Sequence, residues 1–501
     1  MLLPALCATA QHQTAIFTPL TPSSASDFQI TVRNYDFGAA PIAGLHSFAS
    51  GVVDGKWVIL SGRTNGVHDI NQAGTGSFPA ESQNRDVWVI DPIAKQTWHR
   101  SLGQLDATGI DAASGLTPTQ VVSLAATNNE FQQVGNTLYI TGGYGLNTSG
   151  EFETFNKLSA INLPGLANWV MTGAGTAAAH IRQLDTPTVS VTGGAMYAMN
   201  GRMHLVFGQD FDGSYSPRAD GAYTRQVRSF DILDDGANLA ITNFSQTSPE
   251  PDYRRRDLNV FPVIRPDGSG GTNEGLVALS GVFTSSFGAW TVPVTISESG
   301  IPSMADPSAD ATFKQGFNNY HSAKLGLYSE SQQQMSEVLF GGISLQSRDP
   351  GTGQVTTDDG LPFVNDITAV SINALGGFSQ RHLGYFPTIT DQAGNPWRFG
   401  ANGEFFPAPG ISTFSNGVIR LDSLTSPTVL GYLFGGIMAN GPHTRGFPDV
   451  TSTASFNFFE VVYTPVPEVH TPYTIAFGAW GCLRIAGLKR SQFSNRVRGF
   501  V

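Results

Sequence analysis

The sequence predicts an all-β fold: a six-bladed β-propeller whose ring is closed by an N-terminal strand. Two observations carry this. First, an apolar run that stops on glycine occurs six times: "KWVILSG" (Lys56 to Gly62), "LYITGG" (Leu138 to Gly143), "MHLVFG" (Met203 to Gly208), "LVALSG" (Leu276 to Gly281), "EVLFGG" (Glu337 to Gly342) and "GYLFGG" (Gly431 to Gly436). Fully buried strands read as continuous apolar runs bounded by turn signals. Second, 57 glycines and 29 prolines accompany only 13% charged residues. That balance favours short strands and many turns, because glycine supplies positive φ and proline fixes φ.

The chain opens with an apolar stretch, Leu2 to Ala8, followed by the small-x-small Ala8-Thr9-Ala10. It lacks a basic n-region, so residues 1–26 read as a truncated signal peptide or a disordered leader. "FQITVRNYDF" (Phe28 to Phe37) is a lone alternating strand before the first unit. In that unit Asp54-Gly55 is a hairpin signal between two apolar segments, as are Gly135-Asn136 and Asn200-Gly201 in the next two. After each glycine comes a variable loop and then a third strand: "RDVWVID", "KLSAINL", "QVRSFDI", "AWTVPVTI", "NDITAVSI" and "FNFFEVVYT". A fourth often follows, as in "QTWHRSL" and "LAITNF". Recurring four-stranded units of this kind mean propeller blades. The last unit stops after its third strand, so the strand at Phe28 to Phe37 is expected to complete the sixth blade. The propeller then spans residues 27–465.

The first unit, with its glycine and then "DVWVIDPIAKQTWH", resembles a kelch repeat, in which Trp88 and Trp98 occupy the aromatic places of the third and fourth strands. The double glycines Gly142-Gly143, Gly341-Gly342 and Gly435-Gly436 extend the resemblance over about Phe28 to Pro465. The segment 466–501 resembles a PEP-CTERM sorting tail: Val466-Pro467-Glu468, an uncharged run from Thr471 to Leu483, then Lys489 and Arg490. It departs from that pattern at Val469, where a second proline is usual, and at Arg484, which interrupts the apolar segment. The run is shorter than the roughly 20 residues that span a bilayer. "RRRDLNVFPVIRPDG" and "NNYHSAKLGLYS" are similar to segments of uncharacterised exported bacterial kelch-like proteins. These resemblances imply an exported, extracellular or cell-surface protein, with membrane contact only through the tail. They imply no activity.

A net charge of −11 without a basic stripe in the body argues against a nucleic-acid partner. The two cysteines, Cys7 and Cys482, lie outside the repeats, which excludes a disulfide, a zinc–thiolate cluster or a thiol nucleophile in the propeller. For the same reason the tyrosine–cysteine cross-link of kelch-type copper oxidases has no counterpart here. No G-x-S-x-G elbow, P-loop or dinucleotide fingerprint is present.

In a propeller the first strands of the blades line the channel, so their starts gather at one mouth. They bring His46, Glu130, the "YRRRD" of Tyr253 to Asp257, the "NNYHS" of Asn318 to Ser322, and Glu404. The candidate catalytic residues are therefore His46, Glu130, Arg255, Asp257, Tyr320, His321 and Glu404. Opposed carboxylates, imidazoles and guanidiniums suit acid–base chemistry or an acidic ligand. Strand alternation would put Arg254 and Arg256 on one face and Arg255 on the other. A polar channel lining bonded to itself and to water would use the same residue types. In "GQDFDGSYSPRADG", Asp210, Asp212 and Asp220 are candidate calcium ligands, though the 12-residue calcium-loop pattern is lacking and a solvated turn fits as well. No other cofactor is expected. The expected function is a monomeric binding module for an extracellular glycan or surface protein, because long loops on a rigid scaffold carry recognition. The alternative is a carbohydrate-active lyase, epimerase or hydrolase working at the channel mouth.

Overall fold

Six blades follow one another along the chain, each with its four blade strands paired antiparallel. Blade 1 is built from Ala49–Val53, Lys56–Leu60, Asp86–Asp91 and Gln96–Ser101. Blade 2 uses Glu130–Val134, Thr137–Thr141, Lys157–Asn162 and Ile181–Asp185, and blade 3 Ala195–Met199, Arg202–Val206, Val227–Asp234 and Leu239–Gln246. Blade 4 runs Asn259–Pro266, Thr272–Leu279, Val294–Ile296 and Pro302–Met304. Blade 5 runs Ala323–Ser329, Gln334–Phe340, Asp366–Ile372 and Phe378–Tyr385. Blade 6 takes Arg398–Pro407, Thr428–Ala439 and Phe458–Pro465 from the end of the chain and Phe28–Tyr35 from its start. This computed structural model describes residues 17–21, 28–68, 77–103, 110–215, 221–444 and 451–466. Apart from 17–21 and Val466, the expected leader and sorting tail lie outside the described residues.

The N-terminal strand pairs with the last one in unbroken antiparallel register, from Phe28 opposite Pro465 to Tyr35 opposite Phe458. Its alternation is used as written: Phe28, Ile30 and Val32 are buried, while Gln29, Thr31 and Arg33 face out. The first and last segments of the propeller thus share one sheet, and no free edge remains at the closure.

A separate apolar core fills each gap between neighbouring blades: 1 and 2, 2 and 3, 3 and 4, 4 and 5, 5 and 6, and 6 and 1. Blade strands are therefore covered on both faces, which is why Asp366–Ile372 is buried at every position. Among the described residues there are two short α-helices. Pro118–Leu124 starts at a Thr117–Gln120 capping box. Leu163–Thr172 starts at Asn162 and ends on left-handed Gly173; it packs with blade 1 in the core between blades 1 and 2.

The glycine that ends the second strand in blades 1 to 5, and lies within Thr428–Ala439 in blade 6, marks a repeated backbone device. Two successive residues there are left-handed in every blade: Ser61-Gly62, Gly142-Gly143, Phe207-Gly208, Ser280-Gly281, Gly341-Gly342 and Gly435-Gly436. A Cβ on Gly142 would fall 1.8 Å from the Val191 carbonyl oxygen of the next blade. The double glycine is required where a neighbouring turn presses this close; Ser61, Phe207 and Ser280 meet the same φ at other blades without it.

Candidate functional site

One residue at the start of the inner strand is also left-handed in each blade: Ser47, Asn128, Gly193, Asp257 and His321 just before it, and Asn402 at an irregularity within Arg398–Pro407, with φ between 48° and 68°. The residue preceding it is bridged to the chain leaving the second strand, as in His46–Arg63, Thr127–Tyr144, Thr192–Gln209, Arg256–Val282 and Tyr320–Ile343. This fixed geometry lets the ring residues bond to one another around the axis. The N–H of Asn128 donates to Ser47 O (3.2 Å), Gly193 to Asn128 O (3.2 Å) and Asp257 to Gly193 O (2.7 Å). Asn402 donates to His321 O (2.6 Å) and Ser47 to Asn402 O (3.1 Å). Between Asp257 and His321 the side chains meet, with Oδ1 and Nδ1 3.6 Å apart.

Above this belt opens a cavity of about 570 Å³ to which all six blades contribute. Its floor is polar: Asn128, Asp257, His321 and Asn402, with Gly193 between them. One wall is aromatic and comes from the loops after the second strands of blades 1, 2 and 3. There Phe78 meets Tyr144 and Tyr215 edge-on (5.4 Å each), and His68 stands 4.5 Å from Tyr215. Tyr144 donates its hydroxyl proton to Gly213 O (2.8 Å) and accepts from the Tyr215 N–H (2.9 Å), so one ring is fixed to the loop that carries the other. The guanidinium of Arg63 lies over Phe78, 4.9 Å from its centroid. Arg256 adjoins Tyr215, Phe283, Phe287 and Leu361 add to the lining, and His443 is 2.8 Å from Asp358.

Burial lowers the His321 imidazole below its ordinary pKa, and the neighbouring Asp257 carboxylate opposes that shift. The ring is therefore a neutral acceptor or donor beside a carboxylate at neutral pH. Burial raises the Tyr320 phenol, with Asp257 adding to it and Arg256 opposing. Together these groups offer hydrogen bonds of both senses beneath an apolar, π-rich wall.

Of the residues singled out in the sequence, Asp257, Tyr320 and His321 line this mouth. His46 lies outside the lining: it is 5% exposed, its Nδ1 is 3.0 Å from Ser47 Oγ, and burial, with Arg63 next, pulls its pKa down to about 3. Glu130 is also buried; its Oε1 accepts the Gly194 N–H (2.7 Å), and burial pushes the carboxyl well above its ordinary range. Arg255 is not at the mouth. It is fully buried, donates to Val292 O (2.8 Å), lies 4.7 Å over Trp290, and burial lowers it to about 9. Arg256 takes the place facing the cavity. Arg254 and Arg256 share one face, both over the Tyr223 ring, and Arg255 turns to the other, as alternation predicts, although the stretch lies between the 3-10 turn Pro251–Tyr253 and the strand that starts at Asn259. Glu404 lines a different cavity at the other end of the inner strands. Asp210 sits in a two-residue strand and is pushed up to about 6 by burial and by Asp212; Asp220 lies outside the described residues. Among the described residues no three His, Cys, Asp or Glu side chains are grouped to hold a metal ion.

The aromatic wall was not singled out residue by residue. Its signal was the long loops after the glycines, in which Phe78, Tyr144, Phe211 and Tyr215 all fall.

No protein-family model matches the chain, and no curated protein matches it. The solved "Structure of YjhT" aligns with 85% of this chain and 98% of that chain, at 12% identity and a TM-score of 0.41. That likeness is too distant to bear on function. What stands from the geometry is a six-bladed β-propeller with a mouth to which all of its blades contribute.

Proposed function

We propose that the protein is an exported, kelch-like binding module that takes a glycan in this mouth. The observation that carries the reading is the pairing of the aromatic wall around Phe78, Tyr144 and Tyr215 with the polar floor of Asn128, Asp257, His321 and Asn402. A sugar ring presents apolar C–H faces and a rim of hydroxyls. Aromatic faces suit the first, and fixed donors and acceptors suit the second. The volume, about 570 Å³, falls in the usual range for a small-ligand site. Export rests on the leader and tail resemblances, and the kelch type on Trp88, Trp98 and the double glycines.

A second reading has its own observation. Asp257 and His321, 3.6 Å apart beside Tyr320, are arranged as an acid–base pair, which favours a carbohydrate-active enzyme at the same mouth. A glycan array read with wild type and with His321→Ala separates the two. The binding module predicts that the array's best glycan binds wild type, that His321→Ala weakens it at least several-fold, and that wild type leaves it chemically unchanged. Turnover by wild type, lost in His321→Ala, transfers the site to the enzyme reading. An array with no glycan bound contradicts both.

A further inference from the structure

A second cavity, of about 590 Å³, lies at the opposite end of the inner strands and is lined from blades 2, 3, 4, 5 and 6. Its most unusual occupant is Glu337, in the second strand of blade 5. This side chain is 1% exposed, and neither carboxyl oxygen has a hydrogen-bond partner. It stands opposite Gly326 of the inner strand, where the missing side chain opens the way to the lumen; a Cβ there would lie 3.2 Å from Oε2. Lys324 and Glu404 line the same space. So does Asn416, whose buried Nδ2 has no partner. The remaining lining is largely apolar, from Phe261, Leu325, Phe405 and Val418.

The cavity thus holds a buried acceptor, the Glu337 carboxyl, and a buried donor, the Asn416 amide, each without a partner, with the charged groups Glu404 and Lys324 beside them. A buried carboxyl left unpaired is costly, and it either takes up a proton or finds a cation. Burial does push Glu337 well above its ordinary range, with Lys324 opposing. Burial also works against the charge on Lys324, yet Tyr197, Glu404 and Glu337 together hold it above the ordinary value. A ligand carrying only a positive or only a negative group would answer half of this set. A ligand carrying both answers all of it.

We propose that this cavity is a second binding site, for a small zwitterion of the amino-acid or short-peptide class. Its ammonium sits against Glu337 and Glu404, and its carboxylate against Lys324 and Asn416. Pairing with the ammonium turns Glu337 from carboxylic acid to carboxylate, so one proton leaves to solvent as the ligand binds. The site is separate from the mouth and does not rest on the glycan reading.

Calorimetry on the full chain tests this with alanine and trialanine, and with the two singly charged forms N-acetyl-trialanine and trialanine amide. The expected result is binding of at least one zwitterion, at least tenfold weaker binding of both blocked peptides, and a heat that varies with the buffer's ionisation enthalpy as proton release requires. Glu337→Gln should abolish the buffer dependence, and Lys324→Met should equalise trialanine and its amide. The proposal is overturned if neither zwitterion binds wild type, or if a blocked peptide binds as well as trialanine. The peptide series gives its answer even where a variant does not fold.

Discussion

His46 was singled out as a mouth residue because it lies at the start of the first inner strand. The structure gives it another setting, away from the open cavity, with the imidazole buried. Its folded pKa, about 3, lies below the ordinary 6.5. Between those values the unfolded chain binds a proton that the folded chain refuses, so stability falls as pH drops below 6.5. Each pKa unit is worth about 1.4 kcal/mol, so this one side chain removes about 2 kcal/mol between pH 7 and pH 5. Urea unfolding at both pH values should show the wild-type loss, and His46→Gln should lose about 2 kcal/mol less. An equal loss in both proteins would mean that His46 is not held neutral by burial. Glu337 teaches the same lesson about reading single residues. In "EVLFGG" it looks like the polar start of an apolar strand. Both faces of a blade strand are covered, so neither alternation nor hydropathy marks which polar side chain is sealed in.

Elements were far more legible than residues. The six apolar runs, the third strands and the two-residue hairpins at Asp54-Gly55 and Asn200-Gly201 all appear in the structure because each rests on a local rule; only in blade 6 does the strand continue past its glycines, to Ala439. The third strand of blade 4 is shorter than its apolar text, Val294–Ile296 against "AWTVPVTI". In the YRRRD stretch the alternation held, with Arg254 and Arg256 over Tyr223 and Arg255 over Trp290, but the sequence did not show which of the two faces meets the cavity. The N-terminal strand is the element with the largest consequence. Phe28, Ile30, Val32 and Phe37 are buried against blades 5, 6 and 1. At about 1.5–3 kcal/mol for each large apolar side chain, their loss exceeds what a marginally stable fold tolerates. Deleting residues 28–37 should lower the melting temperature sharply in a thermal scan. A deletion variant that melts with the full chain would show that the ring does not depend on this closure.

At the scale of the whole molecule, the ring converts six distant stretches of sequence into two cavities at opposite ends of the inner strands. The sequence could bring the strand starts together only by assuming one mouth. It therefore grouped Glu404, which faces the far cavity, with Asp257 and His321, which face the near one. The aromatic wall is a product of loop folding, with Tyr144 pinning the Tyr215 loop across two blades, and no period in the sequence announces such a contact. The assignment of glycan recognition to this wall and its floor is the account's central claim. Hydrogen–deuterium exchange on the full chain, with and without the best glycan from the array, tests it most directly. The claim predicts slowed exchange in residues 207–215, 254–258 and 319–323, around the mouth, and none in 132–135 or 415–419 at the far cavity. Protection confined to the far cavity or to the outer strands would contradict it.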